Sequence, residues 1–260
     1  MDDNLLSRDG TRIAYERAGR GHSVILVSGA LSTGGTLAPL AAALAERFET
    51  VVYDRRGRGD SGDTAPYDVL REVEDLAALV ETVGGEASLF GVSSGGALVL
   101  RALAEGLPVR RAVVYEVPYA DFSPAGAEER AAYTRDLTEA LEQGRRGDAV
   151  ELFLRLTGMA DDMIRGARQA PMWAALESVA PSLAHDDAVM GGGLVPRELL
   201  APVGVPVLAL AGGASPDWMQ RAAHAVAEAL PQGSSRILED QTHVVDPDAV
   251  APVLTEFLAA

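Results

Sequence analysis

Apolar and polar positions follow two different periods along this chain, and the switches between them mark out its elements. Continuous apolar runs at 24–27, 51–53, 87–90, 112–115 and 205–211 show no polar alternation, the pattern of strands buried on both faces of a parallel sheet. Residues 4–7 and 11–17 read as a hairpin turning at Asp9-Gly10, and 235–238 as one more strand. Between the strands, apolar positions recur with the helical period over 37–48, 67–83, 97–105, 218–230 and 247–258, with Gly84-Gly85 stopping the second of these helices. Strand and helix in alternation predict a mostly parallel sheet with helices on both faces.

The rhythm breaks between about 119 and 200. That segment reads as largely helical and carries Met159, Met163, Met172 and Met190 with Phe122, Tyr133, Phe153 and Trp173. Long insertions at the carboxyl edge of a parallel sheet lie over the place where such folds bind ligands. Residues 119–200 are therefore expected to form a helical cap inserted into a core built from 1–118 and 201–260. The Met and aromatic side chains of the cap either line an apolar pocket or pack the cap onto the body. Gly191-Gly192-Gly193 is expected to be a loop or hinge and not a phosphate cradle, since no strand precedes it and no Lys-Ser/Thr pair follows.

One junction between a strand and a helix carries chemistry. Gly91-Val92-Ser93-Ser94-Gly95 is a G-x-S-x-G pattern set between the apolar run 87–90 and the helical run 97–105. A serine on such a sharp turn has its hydroxyl pushed out at the edge of the sheet, and the flanking glycines relieve clashes around its strained backbone. The helix starting behind Ser93 turns free amide N–H groups toward any negative charge that develops there. Ser93 thus reads as a nucleophile.

Composition narrows the chemistry. The chain has 260 residues and 48% hydrophobic content, long enough for a core that needs no disulfide or metal staple. It has no cysteine, which excludes thiol catalysis, zinc–thiolate sites and disulfides. The net charge of −16, from 22 basic and 38 acidic residues, opposes binding to nucleic acid and to anionic membranes. The acidic start Met1-Asp2-Asp3-Asn4 has no apolar leader, and the stretch 203–213 is about half the length of a membrane span. A cytoplasmic protein acting on a small-molecule substrate, with no metal or other cofactor, is the expectation; oligomeric state is not encoded in these patterns.

With Ser93, the strand order and a late histidine together, the chain resembles the α/β-hydrolase fold family, an eight-stranded, mostly parallel sheet with helices on both faces. The resemblance spans the chain apart from the cap. Asp54-Arg55-Arg56-Gly57-Arg58-Gly59-Asp60-Ser61 matches that family's loop after the fourth strand, where Asp54 and Ser61 are expected to brace the backbone. Arg58-Gly59-Asp60 also spells an adhesion tripeptide, a reading set aside inside this loop. Of the four histidines, His22 lies in a polar loop, His185 in the cap and His224 in mid-helix; His243 alone lies between the last strand and the last helix, where the family keeps its general base.

The resemblance leaves the acid open. The family's usual slot, after the strand 205–211, falls near Ser215, and the nearest carboxylate there is Asp217, with an N-cap as its structural alternative. A minority of the family takes the acid from the end of the preceding strand, where this chain has Glu116. A glutamate closing a buried strand needs a partner, and the His243 imidazolium would be one, so Glu116 is preferred with Asp217 as the alternative. The oxyanion hole implied by position is formed by the main-chain N–H groups of Ala30 and Ser94, although Val27-Ser28-Gly29-Ala30-Leu31 lacks the His-Gly common in the family. The implied function is a serine hydrolase cleaving an ester, thioester or similar carbonyl bond through a Ser93 acyl-enzyme. Alternatives are a lyase, C–C hydrolase or cyclase using the same Ser/His pair, and a non-catalytic ligand-binding protein. Serine at the elbow disfavours an aspartate-nucleophile epoxide hydrolase or dehalogenase.

Overall fold

The computed structural model describes residues 3–120 and 124–260. Eight strands, β1 (Asp3–Leu6), β2 (Arg12–Gly19), β3 (Ser23–Val27), β4 (Glu49–Tyr53), β5 (Ala87–Val92), β6 (Val109–Tyr115), β7 (Val207–Gly212) and β8 (Gly233–Leu238), form one sheet in the order β1-β2-β4-β3-β5-β6-β7-β8. β2 runs antiparallel to both its neighbours, and every other pairing is parallel. β3, β5 and β7 are buried at every residue, which is why they read as unbroken apolar runs.

Alternate side chains of these strands feed two cores. Ile25 and Val27 point toward α2 (Val69–Thr82), α3 (Ser94–Ala104) and α10 (Asp217–Glu228). Val24 and Leu26 point toward α1 (Ala38–Leu44) and α11 (Pro247–Ala259). This is the α/β-hydrolase fold expected from the sequence. The first helix is shorter than the run 37–48 suggests: residues 34–37 form a 3₁₀ turn and α1 stops at Leu44. The amides of Arg47 and Phe48 both donate to the Leu44 carbonyl, a tight turn that buries Phe48 and aims the chain into β4. α2 starts at Val69, because the Asp68 side chain accepts from the Leu70 amide and caps it.

Between β6 and β7 the described chain is helical: α4 (Pro124–Glu142), α5 (Arg146–Leu156), α6 (Asp161–Arg168), α7 (Trp173–Val179), α8 (Leu183–Met190) and α9 (Arg197–Leu200). Tyr133, Trp173 and Leu183 build a third core, against which Ala30, Leu31 and Phe153 pack. Met190 instead joins the core of the sheet. Met159, Met163 and Met172 are exposed, and neither the four methionines nor Tyr133, Phe153 and Trp173 line the cleft of about 430 Å³ between α7 and the segments 31–36 and 57–61. Of the two roles open to the Met and aromatic side chains, packing therefore accounts for Tyr133, Trp173 and Met190. Phe122 lies outside the described residues. Gly191, at φ 54°, closes α8 as the first residue of a turn.

Candidate active site

The sheet reverses its winding between β3 and β5, and ligands of open α/β sheets bind at the carboxyl ends of the strands beside such a switch. The loops after β3, β5, β6 and β8 carry Ala30, Ser93, Glu116 and His243. Each of these loops holds one of the four non-glycine residues with positive φ among those described: Leu31 (51°), Ser93 (55°), Glu116 (47°) and Asp240 (58°). Such backbone costs about 1–3 kcal/mol per residue and persists where its surroundings over-determine it.

Ser93 sits at the N-cap of α3, with its amide donating to the Tyr115 carbonyl at 2.9 Å. The glycines of the elbow are steric requirements. A Cβ on Gly91 would lie 2.5 Å from the Gly95 carbonyl oxygen, and one on Gly29 would lie 3.0 Å from the Ser93 Cβ. Gly29 therefore lets the loop after β3 approach Ser93. The amides of Ala30 and Ser94, on the two sides of this approach, have no hydrogen-bond partner among the described residues.

Glu116 and His243 are brought together. Glu116 is 1% exposed, and its Oε2 lies 2.7 Å from His243 Nδ1. The Gly212 amide donates to Oε1 at 2.7 Å. Burial pushes this carboxyl up, but hydrogen bonds from His243, the Ser215 hydroxyl and the Gly212 amide together outweigh it and hold the carboxyl below its ordinary value. An ionised carboxylate only accepts, so Nδ1 carries the ring proton and Nε2 is the basic nitrogen. The His243 ring is half exposed. No hydrogen bond joins Ser93 Oγ to His243; bonds of this kind tighten when substrate is bound.

Asp217 stands apart from this pair. It is exposed as the first residue of α10, Pro216 takes the N-cap position, and no side chain caps the helix. The capping role considered for Asp217 is therefore absent, because the chain enters α10 one residue earlier. Sequence reasoning missed two supports. Ser215, in the slot where a carboxylate was sought, is buried and helps to lower the pKa of Glu116 at the end of the neighbouring strand. Tyr115, the last residue of β6, donates its hydroxyl to the Thr242 carbonyl and so holds the loop before His243. The alternation of side chains along β6 was the available signal for Tyr115.

The remaining candidates are structural. Asp54 accepts from the amides of Gly34 and Asp60, each at 2.9 Å, and Ser61 donates to the Asp54 carbonyl. Arg58 is 2% exposed, so the adhesion-like tripeptide is not presented. His22 and His224 are hydrogen-bonded to Ser88 and Ser235, and His185 stacks on Tyr67 with ring centroids 3.8 Å apart. Among the described residues no three His, Asp or Glu side chains are grouped to hold a metal ion, and no helix is long and apolar enough to cross a membrane.

The fold is that of a known class of proteins, and comparison with known proteins agrees on the class. Residues 24–253 match the family described as the alpha/beta hydrolase family, and the chain belongs to it. An alpha/beta hydrolase from Sphaerobacter thermophilus is 47% identical, with a TM-score of 0.89, over 98% of this chain and 100% of that one. A thermophilic esterase from Thermogutta terrifontis shares the fold at a TM-score of 0.75 and 23% identity, over 99% of this chain and 97% of its own. N-formylmaleamate deformylase of Pseudomonas putida is 31% identical over 153 residues, which are 57% of this chain and 57% of the deformylase.

Proposed function

We propose that this protein is a serine hydrolase that cleaves an ester, thioester or similar carbonyl bond of a small, largely apolar molecule. Ser93 Oγ bonds to the carbonyl carbon while its proton passes to His243 Nε2, and the carbonyl oxygen takes up negative charge against the amides of Ala30 and Ser94. Collapse of this adduct breaks the bond to the leaving group, which departs with the proton from Nε2. Water then attacks the acyl-enzyme, giving its proton to Nε2, and the acid leaves as Ser93 regains that proton. Glu116 holds the ring in the tautomer that keeps Nε2 basic. Residues 119–200 act as a cap over the site. The chemistry is complete without a cofactor.

The observation that supports this reading most is the 2.7 Å contact between the buried Glu116 carboxylate and His243 Nδ1, at the same sheet edge as Ser93. The half-exposed His243 ring favours hydrolysis over chemistry in a sealed pocket, since water can reach the base. The resemblance to a deformylase adds N-formyl amides to the substrates to be tried.

The test is labelling with a fluorophosphonate probe, alongside turnover of p-nitrophenyl acetate and butyrate. Wild-type protein is expected to take one adduct on Ser93 and to turn over both esters, and Ser93→Ala is expected to do neither. Absence of an adduct on the wild type overturns the serine mechanism. An adduct without turnover of any ester, thioester or N-formyl amide transfers the site to the lyase, C–C hydrolase or cyclase class.

A further inference from the structure

Three arginines in the loop after β4 are buried, and two of them converge on one carboxylate of the inserted helices. Asp186, on α8 and 4% exposed, receives three donors on its Oδ1: Arg55 Nη1 at 2.8 Å, Arg58 Nη2 at 2.7 Å and the Ser94 hydroxyl at 2.7 Å. Each donor leads to one half of the proposed oxyanion hole. Ser94 follows the nucleophile and supplies one amide. Arg58 Nη1 donates to the carbonyls of Gly29 and Ser32, which bracket Ala30, the residue supplying the other amide. Arg55 Nη1 donates to the Ser28 carbonyl and to Ser94 Oγ, both at 3.3 Å.

We propose that Asp186 is a positioning residue for the oxyanion hole: one carboxylate oxygen, supplied by the inserted helices, sets the spacing between the Ala30 and Ser94 amides. The proposal rests on the reading of Ser93 as an activated nucleophile. Its physical basis is an unequal distribution of counter-charge. Arg55 has a second, bidentate carboxylate in Glu72, at 2.7 and 2.8 Å, whereas Arg58 contacts no carboxylate but Asp186 among the described residues and feels Glu72 only at longer range. Burial lowers the Arg58 pKa, and the neighbouring Arg55 charge lowers it further. When the Asp186 charge is removed, Arg58 is a buried cation with no carboxylate in contact, so it leaves its carbonyls and releases the loop that orients the Ala30 amide. Asp186 Oδ2 has no partner, so Asp186→Asn keeps an acceptor at Oδ1 and removes mainly the charge.

The experiment compares wild type, Asp186→Asn and Ser94→Ala by three readouts: the number of Ser93 sites titrated by a fluorophosphonate, the second-order rate of that labelling, and kcat and KM for p-nitrophenyl acetate per titrated site. Counting sites separates a misaligned oxyanion hole from a smaller folded fraction. Asp186→Asn is expected to titrate fully but to label and turn over at least about tenfold more slowly, with KM within about threefold of wild type, the signature of an interaction realised in the transition state. Its acid-side pH profile is expected to match that of the wild type, since Asp186 does not touch His243 or Glu116. Ser94→Ala, which loses only the hydroxyl held by Asp186, is expected to show the same kcat defect at about threefold or more. If Asp186→Asn does not fold, Ser94→Ala decides. Rates per site within twofold of wild type, or a loss explained entirely by fewer titrated sites, overturn the proposal while leaving the serine mechanism standing. A wild type that takes no adduct removes that mechanism and the proposal with it.

Discussion

Glu116 combines three features that seldom coincide in a side chain without a special duty: burial, a positive φ of 47° and a 2.7 Å contact with a histidine. Replacing its carboxylate by an amide preserves shape but offers His243 Nδ1 a donor as readily as an acceptor, so the ring loses its enforced tautomer. Glu116→Gln is expected to lower kcat by at least about 10²-fold with the fold retained, as measured by steady-state kinetics beside circular dichroism. Asp217→Asn, at an exposed helix start, is expected to leave kcat unchanged; the opposite pattern would reassign the acid. Glu116, whose carboxyl is held below its ordinary value, is expected to add no acid limb of its own to a kcat–pH profile above that value.

At the level of elements, the strand–turn–helix from β5 through Ser93 to α3 is the most exacting joint. The Gly95 carbonyl lies where a side chain on Gly91 would go, so any side chain at Gly91 must displace Ser93 or the first turn of α3. Gly91→Ala is expected to destabilise the protein by about 1–3 kcal/mol in chemical denaturation and to reduce the rate of fluorophosphonate labelling. This joint was legible in the sequence because its steric demand dictates residue types at fixed spacing. So were β3, β5 and β7, whose burial on both faces leaves no room for polar positions. The end of α1 was not, since the alanines up to Ala45 suit a helix and only the burial of Phe48 turns the chain away. The sequence leaves Glu116 and Asp217 both open for a related reason: both follow apolar strands, and the contacts that Glu116 makes with Gly212 and His243 come from 96 and 127 residues away.

Across the whole molecule, a set of buried charges ties the loop after β4 to α2, α3 and α8. Arg55 pairs with Glu72 and Asp186, Arg56 with Asp75 and Asp9, and Arg58 with Asp186. None of these pairings was readable in advance, because Glu72 and Asp75 resemble ordinary polar positions on a helix and Asp186 is more than a hundred residues from Arg55. Burial pushes the Glu72 carboxyl up, but the Arg55 charge and its hydrogen bonds prevail and bring its pKa from 4.5 to about 2. The folded state therefore binds that proton less readily than the unfolded one. The stabilisation from Glu72 is fully present above 4.5 and disappears as pH falls toward about 2. It amounts to about 3 kcal/mol by linkage. Urea unfolding followed from pH 6 to pH 2 is expected to show this loss in the wild type. Glu72→Gln should be less stable at pH 6 and show a shallower decline over the same interval.

The depth of these pairs gives the protein two different responses to ionic strength. Added salt shortens the Debye length to about 8 Å at physiological strength and thins the field of a surface carrying a net charge of −16. That field repels anionic molecules on approach, so their encounter quickens as salt rises, while neutral ones arrive at an unchanged rate. Mobile ions do not reach the guanidiniums of Arg55 and Arg58, whose side chains are 0% exposed. The charges beside Ser94 and the loop after β3 therefore keep their strength in dilute buffer and in brine, and salt acts on how molecules reach the sheet edge more than on the frame they meet there.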